Sequence, residues 1–284
     1  MTPPVLWLGG SSAAGKTTVA RTLALRFDLG FYRIDARAYA HRDRMIRRGL
    51  VPDGPPKSYD ERWLIPTPDQ IAQEFQAASA LHPALIMEDL AAMADPVLTI
   101  VEGPQLFRDD IAEFWSGPES ALWLLSTEEF RRAALTARSG DASRFTSDAR
   151  KAMDKRIARD TILSDRIRRE AGDAVFEVDG TRDLSTMVDL VGGYFREQIA
   201  VGPRIADGAM RQRVRRFEND VMVENVRAFR AELGSRAPAV FAPLPFTCEC
   251  DRLGCELLVE VALPQYEEAR VERRDLLAHA PSPR

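Results

Sequence analysis

The sequence has little of several features that mark large protein classes. Lysine is scarce, and nearly all of the 39 basic residues are arginine. Cysteine is scarce as well, with three residues in 284. No run of about 18 apolar residues occurs, so we expect no membrane-spanning helix. Excess positive charge is also missing: the net charge is -4 and the pI is about 5.6, which argues against nucleic-acid binding through bulk charge.

The first residues lack a basic, signal-like segment, and an apolar strand pattern starts at Val5. We therefore expect a cytoplasmic protein whose cysteines are reduced thiols or metal ligands. Arginine in place of lysine, together with abundant alanine, is typical of a bacterial genome rich in G and C.

Residues 10–17, GSSAAGKT, match the phosphate-binding loop pattern G-x4-G-K-[ST]. An apolar segment at 5–8 predicts a strand before the loop, and a helical pattern follows it. The backbone N–H groups of such a loop wrap phosphates, while Lys16 reaches the β- and γ-phosphates and the Thr17 hydroxyl holds Mg2+. We therefore predict a nucleoside triphosphate site. Its predicted loop residues are Gly10, Ser11, Ser12, Ala13, Ala14, Gly15, Lys16, Thr17 and Thr18.

Further short apolar segments predict four more strands, at 31–34, 97–101, 121–125 and 174–178. Helical patterns lie between them, so we predict βαβ repetition and a mainly parallel sheet. Residues 50–68 predict a long loop, because they are rich in Pro, Gly and Asp.

The pattern changes near residue 200, where a long amphipathic helix at 207–233 is followed by a Pro-rich stretch and a cysteine-bearing tail. We therefore predict an α/β domain over 1–200 and a small C-terminal α+β module over 201–284.

Residues 4–195 resemble the small-molecule P-loop kinases, the adenylate, shikimate and gluconate kinase group. Residues 9–16, GGSSAAGK, are also similar to the loop of chloramphenicol phosphotransferase. The resemblance implies a three-layer αβα fold with a parallel five-stranded sheet in the order 2-3-1-4-5. It also implies ATP and Mg2+ as cofactors and a small hydroxylated acceptor. The three-glycine motif that shikimate kinases have after strand 3 is replaced by Glu102-Gly103-Pro104, so we expect acceptor recognition to differ.

Two carboxylates fall at predicted strand ends, where ligands of open parallel sheets gather. In shikimate-type kinases a carboxylate after strand 2 holds the substrate hydroxyl. By this resemblance we predict that Asp35 orients or deprotonates the attacking hydroxyl, the alternative being that it caps the next helix. Glu102 lies beside the phosphate loop in the implied strand order, and we predict that it helps Thr17 to hold Mg2+.

A local excess of positive charge predicts a lid over residues 128–170: twelve Arg or Lys and only five Asp lie between 131 and 169. Arginines that close over a transferred phosphate stabilise its charge. We predict that Arg138 is catalytic and that Arg131 binds the nucleotide. Arg156 and Arg159 share a helical face. For each arginine the alternative is a solvated helix surface with ion pairs.

The resemblance also places an adenine-contacting turn after strand 5. Arg182 is the nucleotide-binding candidate there, and a plain strand-to-helix turn is the alternative.

The tail contains Cys248, Cys250 and Cys255, and His279 follows. A Cys3His set would form a closed structural zinc site, while reduced structural thiols and a redox role are the alternatives. The tail also resembles a cysteine-bearing module of actinobacterial proteins of unknown function. His82 has no partner at metal-ligand spacing, and we predict that it lies at the surface.

Together these features predict a kinase of the EC 2.7 type that phosphorylates a hydroxyl of a metabolite, nucleoside or antibiotic, with no nucleic-acid or membrane partner. The alternative is a nucleotide-dependent regulatory ATPase or switch whose C-terminal module binds a protein partner. We also predict a homo-oligomer, in which the long helix after residue 207 pairs with another copy.

Overall fold

The computed structural model describes residues 4–54, 57–93, 95–137, 145–234 and 243–271. Its strands are β1 (Val5–Gly10), β2 (Gly30–Arg33), β3 (Thr99–Glu102), β4 (Ala121–Ser126), β5 (Val175–Val178), β6 (Leu244–Thr247) and β7 (Leu258–Val261). Its helices are α1 (Lys16–Arg26), α2 (Ala38–Arg47), α3 (Tyr59–Trp63), α4 (Pro68–Ser79), α5 (His82–Ala91), α6 (Arg108–Ile111), α7 (Glu128–Ala137), α8 (Ala149–Ala171), α9 (Leu184–Tyr194), α10 (Arg196–Val201), α11 (Gly208–Leu233) and α12 (Leu263–Val271).

The first five strands form one parallel sheet in the order β2-β3-β1-β4-β5. This confirms the predicted α/β fold and strand order. Because β1 lies between β3 and β4, Leu8 pairs with Glu102 and Gly10 pairs with Leu124. The phosphate loop and the end of β3 therefore meet at one edge of the sheet.

Helices cover both faces of this sheet, so β1 and β4 are buried along their whole length. Side chains alternate along β1: Trp7 packs in the core on one face, and Leu6 and Leu8 pack on the other. Burial on both faces explains why these strands appear in the sequence as continuous apolar runs.

The predicted loop at 50–68 contains one short helix, α3. Ser58 accepts a hydrogen bond from the Glu61 backbone, and the Glu61 carboxylate accepts one from the Ser58 backbone. The sequence contains this capping box as Ser-x-x-Glu, a pattern typical of a helix start. The many turn-forming residues around it favoured a loop prediction instead.

The C-terminal part contacts the sheet domain through α11, which packs against β2 and α2. β6 and β7 form a separate antiparallel pair, and their core includes Phe246 and Tyr266. The small α+β module is therefore confirmed, whereas the domain boundary near residue 200 stays a prediction. Within the described ranges, no helix combines the length and apolarity that crossing a bilayer requires.

Candidate active site

The loop between β1 and α1 has a backbone that glycine makes possible. Gly10 has φ +124°, and a Cβ there would lie 2.0 Å from the Leu124 carbonyl oxygen. Gly15, with φ +77°, directly precedes the first residue of α1. The loop therefore opens into the N-terminus of α1, where free N–H groups and the helix dipole attract anions.

Serines fasten this loop to the end of β4. Ser11 Oγ accepts a hydrogen bond from the Ser126 backbone N–H at 2.8 Å, and Ser126 Oγ donates to the Ser12 carbonyl at 2.9 Å. Arg131, which is 2% exposed, donates to the Ser126 carbonyl at 2.9 Å. In this structure Arg131 supports the loop through Ser126.

The Lys16 side chain folds back over the loop, and its Nζ donates to the Ser11 carbonyl at 2.6 Å. Lys16 is only 6% exposed. Its ammonium group therefore lies among the loop amides, the position from which a lysine can reach phosphate oxygens.

Thr17 and Glu102 form a direct pair, in which Thr17 Oγ1 donates to Glu102 Oε1 at 2.8 Å. Burial raises the pKa of Glu102, which is 2% exposed, and the nearby Lys16 ammonium opposes this shift. A hydroxyl beside a dehydrated carboxylate offers the oxygen ligands that Mg2+ prefers, so this pair fits such an ion.

Asp35 lies in a 3-10 turn, Ile34–Arg37, between β2 and α2. It is exposed, and its Oδ1 accepts a hydrogen bond from Gln105 Nε2 at 2.9 Å. The residue that precedes α2 is Arg37, two positions later, so Asp35 does not occupy the helix-capping position. Asp35 thus has one oxygen held by Gln105 and faces solvent.

A cavity of about 530 Å³ brings these groups together. Lys16, Thr17, Asp35 and Glu102 line it together with the rest of the phosphate loop. Its volume lies within the usual range of small-molecule sites.

The cavity also has an aromatic and cationic wall that joins three helices. The guanidinium carbons of Arg156 and Arg159 in α8 lie 5.7 and 5.2 Å from the centre of the Trp63 ring of α3. Arg159 also lies 5.1 Å from the ring centre of Phe75 in α4 and pairs with Asp160 at 2.6 Å. Sequence reasoning missed Trp63 and Phe75, since single aromatic residues in a loop and a helix form no motif.

The remaining predicted nucleotide and lid residues lie elsewhere. Among the described residues, those that line this cavity include neither Arg131 nor Arg182. Arg182 is exposed after β5, and its Nη1 donates to the Glu177 carbonyl at 3.4 Å. Arg138, the predicted catalytic arginine, lies outside the described residues.

A second polar cluster lies in the sheet domain and includes His82. The sequence-based prediction that His82 is a surface residue is wrong: it is 9% exposed, and its Nδ1 lies 2.7 Å from His41 Nδ1. His41 is fully buried and also contacts Tyr32 and Asp89. His82 starts α5, and its contact with α2 is long-range, so no local pattern predicts its burial.

The three cysteines form a buried cluster in the C-terminal part. The sulfur atoms of Cys248, Cys250 and Cys255 all lie within 4.8 Å of one another. Burial raises the pKa of the Cys250 thiol to about 12. His279, the predicted fourth ligand, lies outside the described residues.

No protein-family model matches the sequence, and no curated protein matches it. Solved structures to which the chain is similar include a gluconokinase from Sinorhizobium meliloti 1021 (17% identity, TM-score 0.38), over 70% of this chain and 95% of that one. They also include a shikimate kinase from Bacteroides thetaiotaomicron (12%, 0.40), over 68% and 98% of the two chains. A sugar kinase from Janibacter sp. HTCC2649 (17%, 0.39) aligns over 70% and 98%. These proteins belong to the group that the sequence resembles.

Proposed function

We propose that the protein is an ATP- and Mg2+-dependent phosphotransferase that moves the γ-phosphate to a hydroxyl of a small molecule. The observation that supports this most is that Lys16, Thr17, Glu102 and Asp35 line one cavity. A phosphate-binding loop and a solvent-facing carboxylate in one cavity provide a place for each of the two reactants.

On the nucleotide side, the amides of residues 10–17 and the Lys16 ammonium would bind the phosphates. Thr17 and Glu102 would hold Mg2+, which when bound neutralises charge on the β- and γ-phosphates. Arg131 and Arg182 stay predicted nucleotide-binding residues.

On the acceptor side, Asp35 would accept a hydrogen bond from the attacking hydroxyl and take its proton as the new O–P bond forms. The bond between the γ-phosphorus and the bridging oxygen then breaks, and ADP leaves. Gln105 would hold the carboxylate in place through its hydrogen bond to Oδ1. Arg156 and Arg159 would stabilise the negative charge of the transferred group, as would Arg138 if the lid closes.

A regulatory ATPase is the second candidate, because the C-terminal part directly contacts the sheet domain that contains the phosphate loop. Arg215 in α11 donates to the carbonyls of Ala24 and Leu29, which belong to α1 and the segment after it. A partner protein that binds the C-terminal module could thus act on the phosphate-loop helix. In either case we propose a cytoplasmic protein without a nucleic-acid or membrane partner. A homo-oligomer through α11 stays a prediction.

The two candidates differ in how an acceptor changes turnover. ADP release should be measured with Mg2+-ATP and a panel of sugars, sugar acids, nucleosides and antibiotic alcohols. A kinase requires at least one acceptor that raises turnover and appears as a phosphorylated product by mass spectrometry. Slow hydrolysis that responds to no acceptor but to a protein partner would favour the regulatory ATPase.

Lys16→Ala should weaken ATP binding and lower turnover about 100-fold or more, since it removes the ammonium that lies over the phosphate loop. Calorimetry with Mg2+-ATP and steady-state kinetics measure the two effects. Lys57→Ala is the matched control, because Lys57 is exposed and pairs with Glu74. Equal ATP affinity in the two variants would contradict the nucleotide site.

A further inference from the structure

We propose that Cys248, Cys250 and Cys255 bind one Zn2+ ion as thiolates, in a structural site that holds the C-terminal module against the phosphate-loop helix α1. The site is independent of the kinase chemistry, because it lies outside the cavity that contains Lys16 and Asp35.

The sulfurs are close enough for one ion. Zinc–sulfur bonds of ~2.3 Å in a tetrahedral site place sulfurs ~3.8 Å apart. The three sulfurs here already lie within 4.8 Å of one another, and all three residues are buried. A shift of about an ångström or less would therefore complete the arrangement.

Glu249, the acidic residue between Cys248 and Cys250, forms hydrogen bonds with other side chains. Glu249 is 6% exposed, and its Oε1 accepts a hydrogen bond from Asn219 at 2.9 Å. Its Oε2 accepts a hydrogen bond from Arg270 at 2.8 Å. The described residues therefore offer three sulfur ligands, a set that favours zinc over Mg2+ or Ca2+.

A buried guanidinium organises the backbone of all three cysteines. Arg211 in α11 is 0% exposed, and its Nη1 donates to the Cys248 and Cys250 carbonyls at 2.9 and 2.5 Å. Its Nη2 donates to the Cys255 carbonyl at 2.9 Å. One side chain thus fixes three ligand residues, as residues around metal ligands commonly do.

Charge at this position also favours an occupied metal site. Three thiolates and Zn2+ carry a net charge of about -1. Arg211 Nη1 lies 3.7 Å from Cys250 Sγ, so the buried guanidinium would neutralise that charge. Next to three neutral thiols the same cation has Asp28, whose Oδ1 lies 3.8 Å from Nε, and Glu218, which already pairs with Arg215, as acidic neighbours among the described residues. A buried cation is costly without a counter-charge, and the metal–thiolate group would supply one.

The cysteine loop is attached to the end of α1. The Gly254 N–H donates to both Asp28 carboxylate oxygens at 2.9 and 2.8 Å, and Arg26 Nε pairs with Glu256 at 3.1 Å. Arg26 is the last residue of α1, whose other end is the phosphate loop. Zinc would therefore fix the shape of the loop that holds the module on this helix.

The first test is the metal content of the full-length protein purified without added metal. We expect about one zinc per chain by elemental analysis. Replacement by Co2+ should produce a sulfur-to-cobalt charge-transfer band. Less than about a tenth of an equivalent, after reconstitution with zinc under reducing conditions, would overturn the proposal, whether the sulfurs prove to be free thiols or a disulfide.

Variants test which residues hold the ion. Cys250→Ser and Cys255→Ser should retain less than about a tenth of the wild-type zinc, whereas Lys16→Ala should retain all of it. Lys16→Ala also separates this proposal from the proposed kinase function, because it removes the nucleotide site alone. If a cysteine variant fails to fold, an organomercurial should release the zinc from the folded wild-type protein, which would show that thiolates hold it, and failure to release it would overturn the site. Full zinc content in both cysteine variants would overturn the site.

Arg211 has its own test. Arg211→Gln should weaken zinc affinity by about 10- to 100-fold, measured by competition with a chromophoric chelator. Arg213→Gln is the matched control, because Arg213 lies on the same helix but is exposed and pairs with Asp95. Equal affinities in the two variants would show that Arg211 does not position the ligands.

Discussion

At the residue scale, two carboxylates in one cavity differ in their access to water. Glu102 is 2% exposed and hydrogen-bonds to Thr17, whereas Asp35 is exposed and hydrogen-bonds to Gln105. A dehydrated carboxylate is suited to a cation, which offsets the cost of its burial. An exposed carboxylate is suited to a substrate hydroxyl that arrives from solution, so the two residues serve different reactants in the proposed reaction.

Asp35→Asn should lower acceptor-dependent turnover by about 100-fold or more, because the amide keeps the size of the side chain but cannot take a proton. ATP affinity should change little, since the proposed nucleotide contacts remain. Steady-state kinetics and calorimetry measure the two quantities. Asp53→Asn, at another exposed aspartate, is the control, and unchanged turnover in Asp35→Asn would remove Asp35 from the proposed mechanism.

His82 should make the protein less stable as the pH falls. Burial, with a contribution from His41, lowers the pKa of His82 from 6.5 to about 4, and Asp35 opposes the shift. Below pH 6.5 the unfolded chain binds a proton that the folded chain does not. The contribution of neutral His82 to the free energy of unfolding is therefore fully present above about pH 6.5. It decreases by up to about 3 kcal/mol as the pH falls to 4.

Urea unfolding between pH 4 and pH 7 tests this prediction by comparing the wild type with His82→Gln. The variant lacks the titrating group, so its free energy of unfolding should depend less steeply on pH across this window. Parallel curves for the two proteins would contradict the buried state of His82.

At the element scale, the turn from β1 into α1 depends on backbone shape more than on side chains. Gly10 ends β1 with φ +124° and lies against the backbone of Leu124 in β4. This close approach brings the loop under the end of β4, where Ser126 holds it. Any side chain at position 10 would push the two strands apart.

Gly10→Ala should therefore lower the free energy of unfolding by about 3 kcal/mol or more, because the methyl group would lie 2.0 Å from a carbonyl oxygen at an unfavourable φ. Gly54→Ala is the matched control. Its added Cβ would meet no described atom within 4 Å, so we expect a change within about 0.5 kcal/mol. Chemical denaturation measures both, and similar values for the two variants would contradict this account of the loop.

At the scale of the whole molecule, a buried ion pair joins α11 to the edge of the sheet. Arg215 is fully buried and pairs with Glu218 at 2.8 Å. Glu218 Oε1 also accepts a hydrogen bond from the Phe31 N–H of β2, an edge strand. The C-terminal part thus covers the β2 edge of the sheet through a buried ion pair and a backbone hydrogen bond.

Glu218→Gln should lower the stability of the sheet domain by about 3–5 kcal/mol, because it leaves the buried charge of Arg215 without its partner. Tryptophan fluorescence is the appropriate probe, because all four tryptophans precede residue 200. Glu224→Gln, at an exposed position of α11, is the control. An unchanged fluorescence midpoint in Glu218→Gln would mean that the two parts fold independently.

Much of the nucleotide side of the site could be predicted from the sequence. The phosphate loop is a contiguous motif between an apolar strand and a helix, and the resemblance it supports implied the strand order that brings Glu102 beside it. The acceptor side could be predicted only in part. Asp35 could be predicted because it directly follows a strand, but Gln105 and Trp63 belong to no sequence motif.

The sequence by itself determined the parallel sheet and the phosphate loop, because apolar runs and closely spaced glycines act through neighbouring residues. Only the tertiary structure decided which distant side chains meet. It stacked Arg159 on Trp63, buried His82 against His41, and brought Arg211 to three cysteines about 40 residues away. Such contacts depend on how helices pack across long separations in sequence, where no local periodicity records the partner.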